Sequence, residues 1–309
     1  MNLEPLFKIS KRKMGKEIKG DVIEVKEKKG IKWKNQLYTA FLTEEGKNFF
    51  NFRSKQDSFI QTLTDFFENE GISEGYLVCN EGELRNIRCG FYLTYHKPSP
   101  LFAEALFRGS HKIHSIIGFF LRPGGRNDKK PIVPHLHIMF ENRETGKLTG
   151  GHLMDADGGN LKCDVIPLTG ASLKRIADPN TGVMHLRSNE PKQKNTKSKN
   201  IMIFSLAPGE SFPNQLFNVI PDNRRDKAHI RFALGTLRSA LLDSSPNNSV
   251  LEPPDGLEVL YAFADVKNKS KYSQLGVYAY LLDKFGQVHQ GNLLQSEVKD
   301  LVEGVMILQ

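Results

Sequence analysis

Cysteine is scarce in this chain. Three occur in 309 residues, Cys79, Cys89 and Cys163, scattered and with no CxxC pair. So sparse and odd a set excludes a disulfide-built framework, and the sequence reads as three buried free thiols in a reducing, cytoplasmic setting. Long apolar runs are absent too: nothing approaches the roughly 20 residues a membrane span requires. The opening MNLEPLFKISKRKMGKEIKG lacks the apolar core of a secretory signal. Acid is in the minority, with 35 Asp and Glu against 43 Lys and Arg and a net charge of +8. That balance permits nucleic acid or an anionic surface as partner without requiring either. At 39% hydrophobic and 25% charged residues, the composition is that of a globular protein of about two domains.

The informative stretch is Pro134 to Leu153, PHLHIMFENRETGKLTGGHL. His135 and His137 stand two apart, so on a strand both imidazoles leave one face. A polar turn follows, then a strand from Leu148 to Met154 containing Gly150-Gly151-His152. A four-residue loop from Arg143 to Gly146 pairs Asn142 with Lys147 and Glu141 with Leu148. The same register sets His137 opposite His152. Three imidazoles on one face make a three-nitrogen metal site with a position open to water or ligand. Zinc suits imidazole, as do other divalent transition metals. Two histidines two apart are also common on surfaces and in hydrogen-bonded cores; the third, at the hairpin position, is what points to a metal.

HLH, a turn and GGHL resemble the signature of the PPC domain, the plant and prokaryote conserved domain also called DUF296. The resemblance runs from about Asn48 to Leu168. It includes a helix from Phe59 that ends in Gly71-Ile72, then Gly82-Glu83-Leu84. It is closer to prokaryotic members, which carry the histidines, than to plant members, which carry AT-hooks; no Arg-Gly-Arg-Pro core is present. The resemblance implies a regulatory binding protein associated with DNA, and a homo-oligomer, by family a trimer.

In chain order, residues 1–46 form a basic lead. Lys11, Arg12 and Lys13 cluster there, and Lys32-Trp33-Lys34 sets an aromatic between cations. These six are the candidate nucleic-acid contacts, by phosphate pairing and base stacking; the competing reading is a solvated turn. Residues 47–185 form a first PPC-like domain, with Asp57 or Ser58 capping a helix from Phe59 to Asn69. Its strands are read as short segments such as Tyr76–Cys79, Ile87–Leu93 and Ile113–Leu121. Residues 186–199 lack apolar periodicity and read as a charged linker. Residues 200–309 echo the first domain in five ordered blocks, among them Gly235-Thr236-Leu237-Arg238 for Gly82-Glu83-Leu84-Arg85. In this second, degenerate copy Gln274, Gly276 and Asn292 stand where His135, His137 and His152 do. The expected fold class is α+β: two tandem PPC-like domains, each a mainly antiparallel sheet with one principal helix.

Three functions compete: a regulatory binding protein with DNA as partner, a metal-dependent hydrolase, and an oligomeric or ligand-sensing platform. Catalysis needs a general base, and Asp155, Asp157 and Glu141 have no spacing that compels the role. Enzymatic activity is therefore the weaker expectation, and no catalytic residue is assigned. His111 and His114 are candidates for a fourth ligand or an outer contact.

Overall fold

A computed structural model describes residues 38–42, 48–94, 101–124, 128–168, 173–177, 184–188, 201–212, 215–216, 228–244, 249–253, 256–266 and 275–308. Lys11, Arg12, Lys13, Lys32, Trp33 and Lys34 lie outside these residues.

Strand β2 (Asn48–Ser58) leads into helix α1 (Phe59–Asn69), the one helix of this length among the described residues. Ser58 caps it, its hydroxyl accepting from the Gln61 amide, and Gly71 ends it at φ 66°. Phe59, Leu63 and Phe67 recur at helical spacing and are buried, with Phe67 stacked on Phe120. Then come four long strands: β3 (Glu74–Thr94), β4 (Leu101–Leu121), β5 (Val133–Asn142) and β6 (Lys147–Pro167). Each pairs antiparallel with the next, and β6 returns to β3, closing a ring. On its other edge β6 pairs first with β5 and further along with β2. Its 21 residues span about 70 Å at strand rise, far more than a flat sheet of this size needs, so the strand coils round the barrel.

A hairpin of β7 (Leu173–Ala177) and β8 (Met184–Ser188) follows; β8 includes the start of the stretch read as linker. The second sheet has β9 (Ile201–Leu206), β10 (Ala228–Leu242), β11 (Leu257–Val266), β12 (Leu275–Leu282) and β13 (Val288–Leu308). Here β10, β11, β12 and β13 close the ring, and β9 pairs with β13 on the edge shared with β12. The strand order matches the first barrel, with β9 in the place of β2. At the outer edge of β9 lies β1 (Tyr38–Leu42), from ahead of the first barrel, pairing Tyr38 with Ser205 through Leu42 with Ile201.

The α+β class is thereby corrected. Two closed antiparallel barrels dominate, and the described part of the second barrel shows only Gln215–Leu216 as helical between β9 and β10. The short strands expected are parts of longer, continuous ones. Strand β3 runs through Gly82 (φ 144°) and Asn86 (φ 49°), and register shifts there bend the strand without ending it.

Each barrel encloses its own apolar core. Leu77, Ile116, Ile138 and Val165 fill the first; Leu237, Val259, Ala279 and Val302 fill the second. A third cluster is shared. Tyr76, Val78, Ile117 and Phe119 on the outside of the first barrel meet Ile203, Phe232, Leu234 and Val305 of the second, with Leu173 and Leu186 of the hairpin. The expectation of three free thiols holds for Cys89 alone. Cys79 and Cys163 face each other across β3 and β6, Cα atoms 4.2 Å apart, and are joined as a disulfide.

Candidate metal centre

The β5–β6 hairpin has the expected register: Asn142 opposite Lys147, Glu141 opposite Leu148, His137 opposite His152. Its loop closes with the Gly146 amide donating to the Asn142 carbonyl and Gly146 at φ 65°. Alternation then sorts the side chains. Leu136, Ile138 and Phe140 point into the first barrel, while His135, His137 and Met139 face outward onto the second. Two glycines permit this packing. A Cβ on Gly118, opposite Leu136, would collide with the His135 carbonyl oxygen, and one on Gly150 with the Ile138 carbonyl oxygen.

The three imidazoles converge. One ring nitrogen from each of His135, His137 and His152 lies within 4.8 Å of the other two. Ring centroids are 5.0 Å apart for His135 and His152, and 4.3 Å for His137 and His152. His137 is fully buried and His152 nearly so, whereas the His135 side chain keeps 22% of its surface exposed. The cluster therefore sits in the seam between barrels, with one edge toward solvent.

Every Nδ1 atom has a neighbour outside the first barrel. His137 Nδ1 donates to the Val259 carbonyl at 2.9 Å. Glu258 Oε1 lies 2.8 Å from His152 Nδ1 and 3.6 Å from His137 Nδ1, close charge contacts outside hydrogen-bond geometry. Glu303 Oε1 lies 3.1 Å from His135 Nδ1 and accepts from Arg175 at 3.0 Å; the Arg175 guanidinium is also 2.8 Å from His135 Nδ1. Arg175 in turn donates to the Met184 carbonyl across the small hairpin.

Burial, followed by the charge of Arg175, lowers the His135 pKa from 6.5 to about 4, with Glu303 opposing. Burial also pushes His137 well below the usual histidine range, aided by the neighbouring His152 and His135 rings. For Glu303, burial acts upward, but Arg175 and the His135 bond outweigh it and bring the carboxyl down to about 2. At neutral pH His135 and His137 are thus uncharged imidazoles, the form that binds metal, beside an ionised Glu303.

The donor set fits a transition metal. A carbonyl can only accept, so the bond to Val259 fixes His137 with its proton on Nδ1 and a lone pair on Nε2. That Nε2 is buried and has no hydrogen-bond partner. A buried lone pair aimed among two other imidazoles, with Nδ1 tied to a carbonyl, is the pattern of a metal-ligating histidine. His135, His137 and His152 could supply three nitrogens and leave a fourth position open.

The other sequence candidates lie elsewhere. Asp155 accepts from the Ser58 hydroxyl and the Ile60 amide at the helix start. Asp157 accepts from Asn86, and Glu141 lies 3.6 Å from His114. His111 packs against Phe107 and Phe140 at the other side of the strands, with Nε2 on the Arg108 carbonyl. None of these joins the cluster. The polar residues that do, Glu258, Glu303 and Arg175, escaped the sequence reading. Their only signal is a carboxylate inside an apolar strand, as in Leu257-Glu258-Val259-Leu260 and Leu301-Val302-Glu303-Gly304-Val305.

No curated protein matches this chain. Similar solved structures include a metal-containing protein of Archaeoglobus fulgidus, 22% identical over 47% of this chain and 96% of its own, with a TM-score of 0.40. A plant- and prokaryote-conserved protein of Pyrococcus horikoshii is 20% identical over 49% and 97%, TM-score 0.40. A candidate DNA-binding protein of Bacteroides thetaiotaomicron is 16% identical over 50% and 99%, TM-score 0.40. In sequence, residues 44–165, a span holding α1 and all three histidines, match the Plants and Prokaryotes Conserved (PCC) domain.

Proposed function

We propose that this chain is a metal-holding regulatory protein made of two PCC-like barrels in tandem, with its metal bound by His135, His137 and His152 at the seam. The observation that carries this reading is the buried, unbonded Nε2 of His137 among two further imidazoles. Zinc is the expected ion, given an all-imidazole donor set at neutral pH.

The duplication is supported by matching geometry. Gly82 faces Leu161 at φ 144°, and Gly235 faces Val302 at φ 141°. Each approaches backbone of the last long strand of its barrel where a Cβ would clash. Register also revises two pairings: Asn292 faces Tyr278, so Tyr278 takes the place of His137, and Gly276, two residues before it, that of His135. Tyrosine, asparagine and glycine cannot reproduce three imidazoles, so the second barrel binds no metal of its own at that face.

Regulation is favoured over hydrolysis because the carboxylates nearest the cluster, Glu258 and Glu303, lie against the histidine Nδ1 atoms, Glu303 also paired with Arg175, where they orient rings better than they serve as base. The net charge of +8 favours an anionic partner, and DNA is the one the family resemblance implies. Such binding weakens steeply with salt, which a duplex titration at two salt concentrations tests. The deciding experiment for the site is metal content by mass spectrometry of the purified chain beside a His135/His137/His152 triple-alanine variant. One zinc per chain, lost in the variant, is expected; a metal-free wild type after purification with zinc refutes the site.

A further inference from the structure

The first barrel carries all three histidines, yet the atoms that orient them come from the second. Glu258 lies against His152 Nδ1, the Val259 carbonyl against His137 Nδ1, and Glu303 against His135 Nδ1. Both carboxylates have apolar neighbours in sequence, Leu257 and Val259 for one and Val302 for the other, and both are buried, Glu303 completely. Burying a carboxylate is costly unless it is paired. Arg175 pairs with Glu303, but one of its oxygens, Oε2, remains buried without a hydrogen bond. Packing alone does not call for charge here, since the surrounding seam is apolar.

The same strand positions in the first barrel show that the carboxylates are not a feature of the fold. Glu258 is opposite Thr236, next to Gly235, and Glu303 follows Val302. By the same register around Gly82, the first barrel has Lys112 and Lys162, both exposed. Acid occurs only on the barrel that receives the histidines.

We infer that Glu258 and Glu303 are positioning residues of the metal centre: the second barrel serves the site of the first by placing a carboxylate beside the Nδ1 atoms of His152 and His135. This rests on the metal-site reading above. With metal on Nε2 the ring proton is on Nδ1, where a carboxylate this close can accept it and make the ring a stronger donor, and where Arg175, which can only donate, would turn from His135 to Glu303. The Val259 carbonyl does the same for His137 without charge. Metal affinity is therefore a property of the docked pair of barrels.

The test uses the full chain and zinc(II) alone. Chelator competition gives the zinc affinity of wild type, Glu258→Gln and Glu303→Gln, and proton–nitrogen correlation spectra of the zinc-loaded forms report the imidazole Nδ1–H groups. Each variant is expected to bind zinc about 10- to 100-fold more weakly. In Glu258→Gln the Nδ1–H signal of His152 shifts or broadens, while that of His137, held by a carbonyl, stays. A merely structural role would not move one ring's signal selectively. Affinities within twofold of wild type, with the His152 and His135 signals unmoved, overturn the inference and leave the histidine site standing. A wild type that takes up no zinc overturns both. If Glu258→Gln does not fold, the affinity and the His135 signal of Glu303→Gln decide.

Discussion

His135 and Glu303 make the acid side of the stability curve predictable. In the metal-free chain the His135 pKa falls from 6.5 to about 4 on folding. Above pH 6.5 the ring is neutral folded or unfolded and costs nothing. Below it the unfolded chain takes up the proton more readily, so stability declines as pH falls from about 6.5 to 4, by at most roughly 3 kcal/mol from this ring. Glu303, lowered to about 2, adds a second loss between about 4.5 and 2. Urea midpoints measured with a chelator present should fall between pH 7 and pH 5, and His135→Gln should flatten that slope. At this scale the sequence was partly legible. Alternation and loop length were enough to set His137 opposite His152, because both act within one hairpin. Glu258 and Glu303 were out of reach because they lie over 100 residues away, and only the docking of two barrels brings them in.

The strands owe their length to residues that usually end strands. Gly82, Gly118, Gly159 and Gly235, in β3, β4, β6 and β10, occur at positive φ where one backbone crowds the next. Read locally, strands run through Gly90, Gly118 and Gly150-Gly151 but stay short segments, because nothing local shows that a strand continues past its bulges. The helix itself was legible, cap and stop included, because those signals lie within a dozen residues. Gly118 offers the sharpest check. Its φ is 151°, and a side chain there would meet the His135 carbonyl. Gly118→Ala should destabilise the chain by about 2–4 kcal/mol in chemical denaturation and loosen zinc binding, since the strand it displaces carries two of the histidines.

Across the whole molecule, the shared apolar cluster couples stability to the metal. Phe232 stands 5.4 Å from Phe119 and 5.8 Å from Tyr76, ring to ring, so it joins the barrels through Phe119, the cross-strand neighbour of His135. Phe232→Ala should cost about 3–5 kcal/mol in thermal or urea unfolding. It should also weaken zinc binding without touching a ligand, as isothermal titration would record. An unchanged zinc affinity would mean that the histidines hold their geometry without the second barrel. The contact between the barrels was not legible in the sequence, because its residues alternate with core residues on the same strands and nothing local marks which barrel they will meet.

Strand β1 precedes the first barrel in sequence and yet completes the edge of the second sheet. The polypeptide therefore runs from one unit to the other and back, like a thread sewn through two cloths. On the ribosome this edge strand emerges before anything it can pair with, and it must wait until β9 has been made. A protease cut between β8 and β9 would leave the N-terminal fragment holding β1, a strand of the other fragment's sheet, so the nicked protein should stay together in native buffer and separate only in denaturant.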